Sequence, residues 1–174
     1  GKGLSFSLDL DEESAKGTIN YNDPNYNWLG NSLNYSFSNT SNDVPDRGYE
    51  NSLITAAIGT GFEQYKDVDV FLGLEINFDD LRTDDTASAS VKKQEGNFTE
   101  LAANYRFTFD KRNRVYDPTD GNLISFGQSI PIYADSSSLS NTFQFSQYRM
   151  FSENFVGSSK LYLSAINGIG EDDV

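Results

Sequence analysis

Residues 68–78 read VDVFLGLEINF, with Val68, Val70, Leu72, Leu74, Ile76 and Phe78 on alternate positions and Asp69, Glu75 and Asn77 between them. Successive side chains of a strand point to opposite faces, so this period of two predicts a strand with one apolar and one polar face. The stretch matches the roughly 9–11 residues that cross a bilayer at a tilt and exceeds the globular mode of about 5–6.

The same alternation recurs on both sides of it. Leu4, Phe6, Leu8 and Leu10 alternate with Ser5, Ser7 and Asp9, and Leu33, Tyr35 and Phe37 with Ser32, Asn34, Ser36 and Ser38. Leu101, Ala103, Tyr105, Phe107 and Phe109 alternate with Asn104, Arg106, Thr108 and Asp110. Fainter versions at 17–22, 53–62, 123–133, 142–151 and 158–167 bring the expectation to about nine strands at hairpin spacing. Helix has almost nowhere to form.

The composition narrows what such strands can build. Hydrophobic residues are 37% of the 174, below the roughly 45–50% of soluble domains, yet aromatic residues reach 14%. A soluble sandwich or lipocalin-like barrel would crowd the apolar faces of nine strands inward, and a transmembrane barrel turns them to lipid. The expected fold is therefore all-β, an antiparallel up-and-down transmembrane β-barrel, with residues 1–174 supplying about nine strands of a larger one. No apolar run is long enough for a membrane helix, which says nothing against strands. The chain starts Gly1-Lys2-Gly3 and stops directly after a strand-like run, as a piece of a longer protein would.

Charge and missing residue types exclude several functions. Thirteen Lys and Arg face 26 Asp and Glu, a net charge of −13, so a nucleic-acid surface would begin with repulsion. The chain has no Cys and no His, which removes thiolate chemistry, His-based nucleophile systems and the usual zinc sites. Asp69 and Glu75 share a polar face, as do Asn104 and Arg106, and all four are expected to line a barrel lumen, with Arg106 paired to acidic groups there. Carboxylates in such a lumen need no catalytic role, so no enzyme and no cofactor are expected. Asp79-Asp80, Asp84-Asp85 and Asp172-Asp173 lack the ligand spacing of a calcium loop and are read as solvated loop charge.

The connections separate into two kinds. In an up-and-down meander every second connection falls at the same end, which groups 23–30, 63–67, 110–121 and 152–155 with their Tyr, Trp and Pro residues. The long, polar 79–96 and the polar 40–48 fall at the other end. Short turns on one side and long loops on the other are expected of an outer-membrane barrel. Within the 110–121 connection, Pro118 presets φ, Thr119 and Asp120 can bond nearby amides, and Gly121 supplies a positive φ. Lys111, Arg112 and Arg114 stand where a strand leaves hydrocarbon and can anchor its rim.

The stretch DKRNRVYDPTDGNLISFGQSIPI, 110–132, resembles the signature periplasmic turn and following strand of the BamA-type outer-membrane protein assembly factors. Asp110, Arg112, Asn113, Pro118, Thr119, Asp120 and Gly121 fall on that motif, and Asp23, Pro24 and Tyr26 on a second turn of the family. The resemblance implies the third to the eleventh strands of a sixteen-stranded barrel, with no POTRA domain within these residues. It also implies the work: folding and inserting unfolded β-barrel client proteins into the outer membrane of a Gram-negative bacterium, among outer-membrane lipids and accessory assembly lipoproteins. A passive channel has the same wall pattern and stays open as an alternative, as does a soluble β-barrel binding an apolar ligand.

Overall fold

The computed structural model describes residues 1–135 and 138–169. Nine strands follow one another: β1 Gly3–Leu10, β2 Ser14–Asp23, β3 Ser32–Val44, β4 Tyr49–Tyr65, β5 Val68–Thr83, β6 Gly96–Asp110, β7 Gly121–Ala134, β8 Ser138–Ser152 and β9 Phe155–Gly168. Each pairs antiparallel with its sequence neighbour, in the spatial order β1 to β9. The register sets Val68 opposite Phe109, Leu72 opposite Tyr105 and Ile76 opposite Leu101, so the apolar alternation of one strand meets that of the next.

Only Val70, Ala87 and Ala102 are buried apolar residues among those described, while Leu4, Phe6, Leu10 and Ile166 stand 68–75% exposed. Fully burying one such side chain is worth about 1.5–3 kcal/mol, a gain that a single sheet with no second layer forgoes in water. An apolar face of this kind suits lipid. The soluble sandwich is thereby overturned: the described residues form one sheet, and most of its apolar residues face away from the hollow.

The opposite, polar face is the concave one. Asn20 and Asn34 share a single cavity of about 470 Å³ with Glu75, Asn104, Arg106 and Thr142, residues drawn from β2 to β8. Strands so far apart in the order border one hollow only if the sheet curls toward its polar side. Bulges add to the bend where the register shifts at Glu63/Tyr65, Leu101/Ala102 and Met150/Ser152. Pro131 sits opposite Ala102 at one of them, a place where a strand tolerates the missing N–H.

Two expected loops prove to be partly strand. The ladder between β5 and β6 continues to Leu81 opposite Gly96, so the connection shrinks from 79–96 to 84–95 and holds one short helix, α1 Ala89–Lys92. Likewise β3 runs to Val44, and a 3-10 turn at Pro45–Arg47 makes the hairpin to β4. Alternation is interrupted there by runs of polar residues such as Asp79-Asp80 and Asn39 to Asp43, yet backbone pairing needs no apolar side chain. Asp79 and Asp80 are therefore strand residues rather than loop charge. The Asn51 amide donates to Asp79 at 2.5 Å, and Arg82 bridges Asp80 at 2.8 Å and Glu50 at 3.5 Å.

With these extensions the two ends no longer differ by loop length. One end carries 11–13, 45–48, 84–95 and 135–137; the other carries 24–31, 66–67, 111–120 and 153–154. Chemistry is what separates them. Trp28, Tyr116 and Tyr65 project at the second end with 91%, 87% and 70% exposure, joined by Phe151 and Phe155 beside the last turn.

Candidate functional site

The 111–120 connection is a closed knot of hydrogen bonds. Asp110 ends β6, and Arg112 folds straight back onto it, Nε to Oδ1 at 2.9 Å and Nη2 to Oδ2 at 2.6 Å, while the Arg112 amide also donates to Oδ1 at 3.0 Å. Such a two-point, charge-assisted pair is among the stronger hydrogen-bonded arrangements open to side chains. The guanidinium is mostly shielded, so Arg112 staples the turn; it does not reach for a membrane rim as the sequence suggested. Lys111 instead rides over the Phe109 ring, 5.2 Å from its centre.

Asn113 closes the other half. Its Oδ1 accepts from the amides of Thr119 at 3.1 Å and Asp120 at 3.2 Å, and its Nδ2 donates to the Thr119 hydroxyl at 2.8 Å. The backbone joins in, Asn113 N–H to Asp120 C=O at 3.0 Å and Lys111 N–H to Asn122 C=O at 2.8 Å. The capping expected of the Thr119 and Asp120 side chains thus belongs to Asn113, six and seven residues upstream, and the Asp120 carboxylate stays in solvent. Gly121 has φ 97°, and a Cβ there would lie 2.1 Å from the Lys111 carbonyl oxygen. Asp117, at φ 48°, turns the chain into Pro118.

The second turn is organised around Asp23, which is buried and accepts from Lys2 Nζ at 3.0 Å and the Asn25 amide at 3.4 Å. Pro24 follows it, and Asn27 Oδ1 takes the amides of Leu29 and Asn31, each at 3.1 Å. Asn27 escaped the sequence reading, although an Asn placed shortly before a Leu-Gly-Asn run is an ordinary Asx-turn signal. Tyr26 borders a groove on the apolar face with Leu33, Ile58, Leu72 and Tyr105, so this turn lies back against the wall.

All four residues expected in the lumen share the concave face. Asp69 pairs with Thr108, Glu75 with Ala102, and Asn104 and Arg106 stand opposite Gly73 and Phe71. Glu75, Asn104 and Arg106 border the larger hollow, while Asp69 and Arg106 border a neighbouring one of about 390 Å³. The ion pair expected of Arg106 is not formed among the described residues, because its cross-strand neighbour is an aromatic ring. Polar side chains bond one another there: Thr55 to Asn77 at 2.8 Å, Asn77 to Glu75 at 3.0 Å, and Asn22 to Asn34.

Phe71 is an aromatic residue on that largely polar face, and it too went unpredicted. Its ring lies over glycines: a Cβ at Gly59 would be 2.2 Å from Phe71 Cζ, and one at Gly73 would be 3.1 Å from its Cε1. The glycines leave room for a ring to lie flat along the wall. At the opposite end Gly48, φ 67°, packs against the next loop, where a Cβ would meet Asp84 Oδ1 and Thr86 Oγ1 at 2.3 Å. Asp84 there accepts from the Thr86 amide at 2.7 Å and hydroxyl at 2.6 Å, and these bonds hold its carboxyl below the usual carboxylate range. Among the described residues no three acidic groups converge as a metal site, and the pair Asp172-Asp173 falls outside them.

Residues 1–174 match the Omp85 superfamily domain. Among solved structures the fold is similar to BamA from Haemophilus ducreyi lacking POTRA domains 1-3, with a TM-score of 0.80 and 18% sequence identity. The match covers 98% of this chain and 36% of that one, so these residues span about a third of the length of that protein. A search of curated proteins finds no match. With the match running over residues 1–174, the chain belongs to the Omp85 superfamily.

Proposed function

We propose that these strands form barrel wall of an outer-membrane protein assembly factor, one that folds and inserts other β-barrel proteins into the outer membrane of a Gram-negative bacterium. The observation that carries the reading is the unbroken Omp85 match over residues 1–174, on a wall whose apolar side suits lipid. In this reading the 24–31 and 111–120 turns are periplasmic, and the partners are membrane lipids, unfolded client barrels and accessory lipoproteins.

The physical task needs neither ATP nor covalent chemistry. A client strand entering hydrocarbon carries unpaired backbone donors and acceptors costing several kcal/mol each, and a barrel that offers pairing lowers that barrier. The test is reconstitution of the complete protein in liposomes with an unfolded outer-membrane barrel as client. Faster appearance of the compact, heat-modifiable client than in empty liposomes is expected. Equal rates would overturn the reading.

A passive channel is the second reading, favoured by Asp69 and Arg106 standing on the concave face with no ion pair between them. Steady, solute-selective conductance of the complete protein in planar bilayers, without client insertion, would decide for it.

A further inference from the structure

Three side chains on the lipid-facing surface are polar in an otherwise apolar setting. Tyr105, Gln128 and Asn141 stand directly opposite one another across β6, β7 and β8. Along its own strand and on the same face, each lies between apolar residues: Tyr105 between Ala103 and Phe107, Gln128 between Phe126 and Ile130, Asn141 between Leu139 and Phe143. The Tyr105 hydroxyl donates to Gln128 Oε1 at 2.8 Å, and Gln128 Nε2 donates to Asn141 Oδ1 at 2.6 Å. Packing of the Tyr105 ring against Phe107 and Phe126, at 5.6 and 6.2 Å between centres, fixes the start of this chain.

The chain is only partly satisfied. A primary amide has two N–H donors, so one on Gln128 and both on Asn141 find no acceptor among the described side chains. Hydrocarbon offers none, and leaving a polar group unpaired there is costly. Leu at either position would remove that cost. Polar side chains on membrane-embedded surfaces instead act where they bond across to another protein.

We propose that Gln128 and Asn141 mark an intramembrane contact between two copies of this barrel wall, closed by reciprocal carboxamide hydrogen bonds at Asn141. A carboxamide is both donor and acceptor, so the group most complementary to Asn141 is another Asn141. Its Oδ1 keeps a second lone pair after accepting from Gln128. A two-fold axis along the membrane normal sets the residue opposite itself while both barrels keep one orientation, as an isologous contact requires. An acidic partner would instead have to bring a charge into hydrocarbon. Phe126, Phe143 and Leu139 supply the apolar surround of the contact.

The test uses the complete protein in its native membrane, free of other cysteines, with one cysteine introduced as Phe143→Cys beside Asn141 or as Leu74→Cys on β5. Oxidation is expected to give a disulfide-linked homodimer from Phe143→Cys and none from Leu74→Cys. Adding Asn141→Leu should lower the dimer yield about fivefold, while Asn141→Gln keeps it. Heat-modifiable migration checks folding, and Gln128→Leu, which removes the anchor of Asn141, stands in should Asn141→Leu fail to fold. Four results overturn the proposal: no dimer at position 143, equal dimer from both cysteines, a yield indifferent to the Leu substitutions, or an adduct with a different protein.

Discussion

Arg112 and Asp110 are joined at two points, Nε to Oδ1 at 2.9 Å and Nη2 to Oδ2 at 2.6 Å, and this fork sets the point at which β6 stops and the chain turns. The planar guanidinium fits the carboxylate as an ammonium does not. Arg112→Lys should therefore destabilise the barrel by about 1–3 kcal/mol, the range for a charged hydrogen bond or a stranded partner. Asp110→Asn should cost a similar amount, and the double variant less than the sum. The temperature at which the compact form of the full barrel unfolds on gels provides the measurement.

Gly59 and Phe71 form a second testable pair. A methyl at Gly59 meets the ring at 2.2 Å, so Gly59→Ala should cost about 1–3 kcal/mol, the usual penalty of overpacking. Phe71→Leu on that background should recover part of the loss, with a coupling of about 0.5–3 kcal/mol in a double-mutant cycle. Strictly additive effects would show that the ring does not need the glycine.

Acid should loosen the 84–95 loop. The Asp84 carboxyl is lowered in the folded protein, first by the Thr86 hydroxyl and then by the Thr86 amide. Its contribution is therefore complete above the unfolded value of about 3.9 and is lost as pH falls from there through the lower folded value. Amide exchange at Thr86 and Ala87, corrected for its intrinsic pH dependence, should accelerate below about pH 4. Asp84→Asn should flatten that dependence.

Residues 1–174 expressed alone, in buffer without detergent, should aggregate. The described sheet leaves unpaired backbone on the outer edges of β1 and β9 and turns rows of Leu, Ile and Phe outward. Light scattering or gel filtration suffices as the measurement, and a monodisperse folded monomer would contradict it.

What the sequence makes legible follows what carries a period. Val68 to Phe78 alternates without a break, and β5 begins at Val68 as expected. Beyond Phe78 the alternation breaks at Asp79-Asp80, Leu81 falls on the opposite face, and nothing there announces that pairing continues to Leu81. The turn residues stand out because Pro118, Asp120 and Gly121 are of types depleted in strands, and the structure gathers them at one connection. The hydrogen bonds went to Asn113 because its partners are six and seven residues away, beyond any local rule. Phe71 was missed for a related reason: its glycines, Gly59 and Gly73, lie on two strands and meet only through the register.

Strands β4 and β5 outrun their apolar stripes, and their far ends are held by Asn51, Asp79, Asp80, Arg82 and Glu50 instead of hydrocarbon. What stands clear of the bilayer at that end is thus a stiff parapet of paired backbone in place of slack loops. Proteases, which need an extended and unpaired substrate, gain no hold on residues 79–83. An antibody that binds there must read side chains from two or three neighbouring strands at once, so serum raised against the corresponding linear peptide would pass the folded protein by.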